Sequence, residues 1–331
     1  MGLIFKLLAG IILTLIAYVA VGGAMTAIAG NPKPRGQLYD IGGGRRLHMV
    51  CAGPARGAET RAETPTVLLE AGAFGFSADW GVVQDKLAAQ GLRSCAYDRA
   101  GLGFSDPGPQ PRDGISVAQD LEKLLAVSGE KGPFILVGHS MAGLRLPIFT
   151  ARNPAEVKGV VLVDATTPEA MDSKVVQHFV GQFSNLSRLA AWGAGAGLFK
   201  PLVYTSFGDK IGLTGAAKTE KRWAFAHGAH NYWAAEEVRE WPVASEQARA
   251  AGAFPPQLPV AVITAGAEGG GPRSGWKSIQ AAPARASWHG YVEHVAGAAH
   301  ATLLGSAYAD AIVRGVDHVR DAVLQPVREP A

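Results

Sequence analysis

Short apolar runs alternate with stretches of helical periodicity along most of the chain. Seven runs have the character of buried strands, at residues 47–51, 67–70, 93–97, 134–137, 160–163, 260–264 and 291–295. Four segments between or after them carry apolar residues at helical spacing, at residues 78–90, 116–128, 141–152 and 306–323. Ser116 fits the N-cap of the second of these helices. Strands that alternate with helices in this way predict an α/β fold.

Residues 166–256 interrupt this alternation. The segment has no clear strand, and it holds four of the seven tryptophans, at positions 192, 223, 233 and 241. We therefore expect a helical lid over residues 166–256, inserted into a core that is made of residues 36–165 and 257–325.

The first thirty residues form a separate apolar segment. No charged residue occurs between Leu7 and Gly30, and about 20 apolar residues are enough to cross a bilayer. The pattern predicts a membrane anchor over residues 1–30. A cleaved signal peptide is an alternative because Ala27-Ile28-Ala29 has the small-residue spacing of a cleavage site, although the apolar part of signal peptides is usually ~7–15 residues long. A buried core helix, the third alternative, would rarely be so uniformly apolar.

Basic residues lie on both sides of this segment. Lys6 precedes it, whereas Lys33, Arg35, Arg45 and Arg46 follow it. Taken alone, the positive-inside rule therefore favours a cytoplasmic body.

Composition and charge exclude several classes of protein. The 331 residues include 31 Lys and Arg against 28 Asp and Glu, and the basic residues are scattered, so no nucleic-acid partner is expected. Two cysteines are too few for a disulfide-rich scaffold or a Cys-rich metal site. The glycine runs at 42–44 and 269–271 lack the spacing and the lysine of a phosphate loop, and no cofactor or metal is expected.

The most informative motif follows the run at 134–137. It reads Gly138-His139-Ser140-Met141-Ala142-Gly143 and precedes a helical stretch, so Ser140 lies in a sharp turn between strand and helix. Such a nucleophile elbow strains the serine backbone and projects its Oγ above the sheet. The motif departs from G-x-S-x-G at Ala142, and an ordinary serine in a glycine-rich turn is the alternative.

The order strand, elbow, helix, strand, lid, strand and late histidine resembles the alpha/beta hydrolase superfamily, from about Gly36 to the C-terminus. The resemblance implies a mostly parallel central sheet flanked by helices, and a Ser-His-acid triad with Ser140 as nucleophile. Three further stretches support it: 68–75 at the place of the oxyanion loop, 95–106 after the next strand, and 160–164 before the lid.

An oxyanion hole is also implied by the resemblance. By position, the backbone N–H groups of Ala73 and Met141 would bind the developing oxyanion. The usual His-Gly of this loop is Ala71-Gly72 here, so a supporting histidine is missing. We interpret Asp98 and Arg99 as a charged pair that holds a glycine-rich loop.

Nine histidines are candidates for the base. His300 follows the last strand and precedes an apolar helix, which is where the superfamily carries its base. His294 is the nearest rival, but it lies within the strand. His139 is inside the elbow, and we expect its side chain to point away from the partner of Ser140.

Two residues are candidates for the acid, which follows the serine and precedes the histidine along the chain. Glu268 comes after the strand at 260–264, the commoner position, whereas Asp164 ends the strand at 160–163, as in certain haloalkane dehalogenases. A cap or turn residue is the structural alternative for Asp164. We favour Asp164 on its placement.

The expected reaction follows from the serine at the elbow, because dehalogenases and epoxide hydrolases of this fold need an aspartate there. The resemblance implies a carboxylesterase-like hydrolase that cleaves an ester or related acyl bond through an acyl-enzyme. A membrane-tethered binding protein without activity, and a perhydrolase or carbon–carbon hydrolase with the same triad, are the alternatives. Apolar lid residues suggest a small apolar acyl-type substrate unless they form only the core of the lid: Phe179, Phe183, Leu186, Leu189, Trp192, Phe199, Trp223 and Trp233.

In a fold of this family, Cys51 and Cys95 would lie on neighbouring strands, the second and the fourth. We therefore predict that they lie within bridging distance, with two buried free thiols as the alternative. A disulfide persists only in an oxidising compartment, so it would place the body on the extracytoplasmic side. We give this argument more weight than the charge asymmetry, which rests on few residues.

Overall fold

The computed structural model of this chain describes residues 2–55, 64–267 and 274–324. An eight-stranded sheet forms its centre, with strands β1 Gln37–Asp40, β2 Arg46–Ala52, β3 Thr66–Glu70, β4 Ser94–Tyr97, β5 Phe134–His139, β6 Val157–Val163, β7 Val260–Ala265 and β8 Gly290–Val295. Ten α-helices accompany it in the described residues: α1 Gly2–Ala29, α2 Gly81–Ala89, α3 Gly114–Ser128, α4 Ala142–Arg152, α5 Lys174–Gly195, α6 Gly215–Ala226, α7 Gly228–Arg239, α8 Trp241–Ala251, α9 Ser274–Ala286 and α10 Ala309–Leu324.

The strands follow the spatial order β1-β2-β4-β3-β5-β6-β7-β8. Strand β2 is antiparallel to both of its neighbours, and strands β3 to β8 are parallel. Because the carboxyl ends of parallel strands meet at one edge, the loops that follow β3, β5, β6, β7 and β8 come together there. The predicted fold class, an α/β hydrolase fold with a mostly parallel sheet flanked by helices, is confirmed.

Helices cover both faces of the sheet, which is why the central strands are apolar throughout. In β3, Val67 and Leu69 pack into the apolar cluster that contains α2 and α10, whereas Leu68 packs into the cluster that contains α3 and α4. Residues 166–256 are all described; they contain α5 to α8 and no strand, and they connect β6 to β7.

All seven predicted strands are present, and their ends differ from the expected ones by at most three residues. The sequence pattern missed β1, which is mostly exposed at the sheet edge, and α9, which follows the glycine run at 269–271 that lies outside the described residues. The predicted cap of α3 was wrong: Asp113 is the N-cap, and its Oδ1 accepts the backbone N–H of Ser116 at 2.8 Å.

The two cysteines lie opposite each other on the antiparallel strands β2 and β4. Cys51 pairs with Cys95 in the ladder, their Cα atoms are 4.1 Å apart, and a disulfide joins them. This confirms the prediction that the cysteines lie within bridging distance.

Candidate active site

Ser140 lies in the tight turn between β5 and α4. Its φ angle is 56°, a left-handed conformation that is costly for a residue other than glycine. Neighbouring backbone groups hold it there: the Ser140 N–H donates to the Val163 carbonyl at 3.1 Å, and the Ser140 carbonyl accepts N–H groups from Gly143 and Thr166. The turn therefore has the strained geometry that the elbow motif predicts.

Close packing around this turn explains its small residues. A Cβ on Gly72 would lie 2.8 Å from the Ser140 Cβ, and a Cβ on Gly143 would lie 2.0 Å from the Thr166 carbonyl oxygen. A Cβ on Gly138 would lie 3.0 Å from the Ala142 Cβ. The Ala142 methyl thus occupies space that Gly138 leaves open, which accounts for the alanine in the last position of the motif.

Asp164 and His300 are in direct contact. Asp164 follows β6, and its Oδ2 accepts the His300 Nδ1–H at 2.6 Å. Its Oδ1 accepts hydrogen bonds from the Gln280 side chain at 3.2 Å and from the Ala265 N–H at 3.4 Å. Burial raises the pKa of Asp164, but these hydrogen bonds outweigh it and lower the pKa below its usual value. An ionised carboxylate only accepts, so Nδ1 carries the proton and Nε2 is the basic nitrogen.

These residues line one cavity at the carboxyl edge of the sheet. Its volume is about 910 Å³, and Ala73, Ser140, Asp164 and His300 are all among its lining residues. His300 remains accessible, with 52% of its side chain exposed.

Residues of the segment 166–256 supply an apolar side of this cavity. Of the apolar residues of this segment that the sequence singled out, Phe179 and Phe183 line the cavity, together with Val175, Val176 and Trp241. The others lie elsewhere. Phe199 stacks on Phe225, and Trp223 and Trp233 pack against a separate buried cluster around Phe76, while Leu186, Leu189 and Trp192 are exposed.

Two backbone N–H groups are available beside Ser140. Ala73 belongs to the loop after β3, and Met141 follows Ser140; within the described parts of the chain, neither N–H has an acceptor. The loop of Ala73 is held by the buried guanidinium of Arg99, which donates to the carbonyls of Ala71 and Gly72 at 2.9 Å and of Gly75 at 3.2 Å. A pre-positioned loop of this kind can orient a donor toward a developing oxyanion.

Asp98 and Arg99 hold glycine-containing loops, as expected, with Arg99 on the Gly72 carbonyl and Asp98 on the N–H of Phe104, but the expectation that they pair with each other was wrong. Arg99 instead contacts Glu70 and Glu237 at 2.9 Å. Asp98 contacts His48 Nδ1 at 2.9 Å and accepts the backbone N–H of Ser77. Side chains of successive residues point to opposite sides of an extended chain. Asp98 and Arg99 therefore contact different buried partners.

The expected orientation of His139 was also wrong. Its Nε2–H donates to the His300 carbonyl at 3.0 Å, and the two imidazole rings lie 4.4 Å apart. Burial, with a further contribution from His300, lowers the pKa of His139 to about 3, so the ring is neutral near pH 7. His139 therefore supports the backbone that carries His300.

The other candidates for base and acid are not among the described residues that line the cavity. His294, the rival base, contacts Thr264 on the neighbouring strand β7. Glu268, the alternative acid, lies outside the described residues. Gln280 on α9, which fixes the second oxygen of Asp164, was missed because the sequence pattern did not predict that helix.

Backbone strain is concentrated in the loops of this site. Phe74, Ser140 and Asp164 are the three non-glycine residues with positive φ among those described, at 57°, 56° and 41°. They belong to the loops after β3, β5 and β6. Backbone strain of this kind persists only where surrounding contacts hold the residue in its conformation. Such residues cluster at functional sites.

Comparison with known sequences identifies relatives of this chain. A family profile described as alpha/beta hydrolase fold matches residues 65–304. An AB hydrolase superfamily protein from Gibberella zeae is 32% identical over 154 residues, which cover 45% of this chain and 47% of that protein. Two other curated relatives are matched over only 18% and 31% of their own length.

Solved structures give the same fold. The Cif epoxide hydrolase from Acinetobacter nosocomialis superposes with a TM-score of 0.65 at 16% identity, over 89% of this chain and 95% of that one. A thermophilic esterase from Thermogutta terrifontis superposes with a TM-score of 0.59 at 17% identity, over 87% and 98% of the two chains. At such low identity the likeness concerns the fold alone.

Proposed function

Because the chain belongs to the alpha/beta hydrolase fold family, we propose that it is a serine hydrolase that cleaves a carboxylic ester or a related acyl bond. The observation that carries the proposal is the 2.6 Å contact between Asp164 and His300 beside a cavity that Ser140 also lines. A serine at this position, rather than an aspartate, favours acyl transfer over the chemistry of epoxide hydrolases.

In the proposed reaction, His300 Nε2 takes the Ser140 hydroxyl proton while Oγ bonds to the acyl carbon. The carbonyl oxygen becomes an oxyanion that accepts hydrogen bonds from the backbone N–H groups of Ala73 and Met141. His300 then gives the proton to the departing alcohol, and Ser140 keeps the acyl group. A water molecule, with His300 as its base, then attacks the acyl-enzyme in the same way. The carboxylic acid leaves, and the Ser140 hydroxyl is restored. Asp164 keeps its charge throughout and stabilises the imidazolium.

The size and lining of the cavity support an apolar acyl-type substrate. About 910 Å³ is at the upper end of the range for small-molecule sites, and lid side chains such as Phe179, Phe183 and Trp241 form an apolar wall. Ser140, Asp164 and His300 are among the polar residues that line the same cavity, with Thr166, Lys277 and Gln280.

We also propose that α1 anchors the protein in a membrane. Its 28 residues extend about 42 Å, which exceeds the ~30 Å of a bilayer core. Its most apolar 18-residue window is not buried against the body, which argues against a core helix. The Cys51–Cys95 disulfide supports a body on the extracytoplasmic side.

Labelling with a fluorophosphonate probe tests the proposed activity. We expect one covalent adduct on the folded full-length protein in detergent, located on the peptide that carries Ser140, because only an activated serine attacks phosphorus at a useful rate. Heat-denatured protein is the control and should not react. Folded protein that forms no adduct would favour a binding protein of hydrolase fold.

Thiol titration tests the proposed side of the membrane. In protein that was denatured and alkylated without reductant during extraction from its native membrane, we expect two thiols to appear after reduction, because the alkylating reagent blocks free thiols and spares a disulfide. The absence of thiols after reduction would show that Cys51 and Cys95 are not bridged in the cell. The argument for an extracytoplasmic body would then be lost.

A further inference from the structure

Helix α5, the first helix of the lid, leaves one apolar side uncovered. Val175, Phe179, Leu186 and Leu189 are 56–78% exposed. Their spacing of four, seven and three residues places them on one side of the helix. We call these four residues the α5 apolar face. It is about 20 Å long, and the exposed Trp192 extends it toward the end of the helix.

The chain that follows α5 contacts the proposed anchor. The Tyr18 hydroxyl donates to the Leu198 carbonyl at 3.2 Å. Gly22 packs so closely on Pro201 that a Cβ there would lie 2.4 Å from the proline ring. The C-terminal half of α1 is therefore fixed against the segment directly after α5.

These contacts define the level of α5 relative to a bilayer. About 20 residues of helix cross the apolar core, so a span that begins at Leu7, after Lys6, ends near Thr26. The contacts of Tyr18 and Gly22 consequently lie within the last ~12 Å of the span, and the C-terminal end of α5 lies at this outer part of the bilayer with them.

Cationic side chains surround the same junction. Lys200 and Arg222 line a cavity of about 360 Å³ together with the C-terminal end of α1, and neither forms an ion pair with any described residue. Helix α5 itself contains no Asp or Glu. Apolar side chains beside unpaired cations are typical of a surface that binds lipid headgroups and the acyl chains beneath them.

The α5 apolar face also reaches the candidate active site. Val175 and Phe179 are exposed on this face, and both also line the cavity that contains Ser140. The apolar surface is thus continuous from the outside of the lid into the cavity.

We propose that the α5 apolar face lies in the surface of the bilayer that α1 crosses, and that the cavity opens there. The substrate class is then a membrane-borne ester with a long acyl chain, which enters from the lipid. This inference rests on the proposed hydrolase function and anchor, and it adds the substrate class and its route. A bilayer fits better than a second copy of the chain because the segment directly after α5 contacts α1, whose own surface is apolar and exposed.

Introducing negative charge on this face tests the proposal. We expect the L186E/L189E double variant, in full-length protein reconstituted into phosphatidylcholine–phosphatidylglycerol vesicles, to hydrolyse p-nitrophenyl palmitate at least tenfold more slowly than wild type. Its rate on water-soluble p-nitrophenyl butyrate should stay within twofold, because neither leucine lines the cavity. The I115E/V127E variant is the matched control: it alters two exposed apolar residues of α3, and it should change neither rate.

A second measurement does not depend on activity. Lipids brominated in their acyl chains quench tryptophans that touch the bilayer, and Trp192→Phe should remove a measurable part of this quenching. Unchanged palmitate hydrolysis and unchanged quenching would overturn the proposal, and so would a dimeric wild type that becomes monomeric in L186E/L189E. If wild type hydrolyses neither ester, the proposed hydrolase function fails, while loss of quenching in Trp192→Phe would still support the membrane contact.

Discussion

Replacing Ser140 with alanine is expected to lower kcat/KM for p-nitrophenyl butyrate by about 10⁴-fold or more. Without the hydroxyl no acyl-enzyme can form, and only substrate binding and the oxyanion donors remain. Alanine is smaller than serine, so it fits the turn against Gly72, and the unfolding temperature should change little. The measurement is a steady-state ester assay beside a thermal unfolding curve. Ser306→Ala, which removes an exposed hydroxyl away from the cavity, is the control.

His300→Ala should lower the rate about as much, and the double variant should be no worse than either single one. The nucleophile and its base act as a unit, so their losses do not add. An activity of Ser140→Ala within tenfold of wild type would contradict the assignment of the nucleophile. Two losses that multiply would show that the residues act separately.

Replacing Asp164 with asparagine is expected to lower kcat by about 10⁴-fold. The lowered pKa of Asp164 keeps its carboxylate ionised at neutral pH, where it accepts the His300 Nδ1–H. An asparagine amide has no charge to stabilise the imidazolium, and its NH₂ group favours the wrong tautomer of the ring. The measurement is kcat at neutral pH, with circular dichroism to check folding.

Glu268→Gln is the matched control for this substitution, because Glu268 is the other acid that the chain order admits. We expect it to retain most of the wild-type kcat. A large loss in Glu268→Gln with a small one in Asp164→Asn would reverse the choice of acid. The acid would then follow β7, the commoner arrangement.

Local patterns determined most of the central sheet from the sequence alone. Buried strands of a parallel sheet are short apolar runs wherever they occur, so all seven runs could be recognised without knowledge of their partners. The elbow around Ser140 was equally local, since a sharp strand-to-helix turn needs small residues at fixed positions. The apolar helix that the structure has at residues 2–29 was also recognisable locally, and the proposal that it is an anchor depended only on the length of its uncharged apolar segment.

Chain order and family resemblance led to the other proposed residues, but they did not determine contacts. They predicted Asp164 and His300 as acid and base, and the strand order of the fold predicted that Cys51 lies beside Cys95. The structure shows that a disulfide links the two cysteines and that Asp164 Oδ2 lies 2.6 Å from His300 Nδ1. Glu268 stays an alternative that only the substitution experiment decides.

The partners of buried polar groups were decided by the tertiary structure. Arg99 reaches Glu237 on α7, 138 positions along the chain, and His139 reaches the His300 carbonyl, 161 positions along the chain. A buried charge or ring nitrogen needs a partner, but the nearest one in space is set by how helices pack on the sheet, and local periodicity carries no information on that. The same holds for α5: the sequence predicts an apolar lid, and only the fold shows which side of α5 stays exposed and that the segment after it contacts α1.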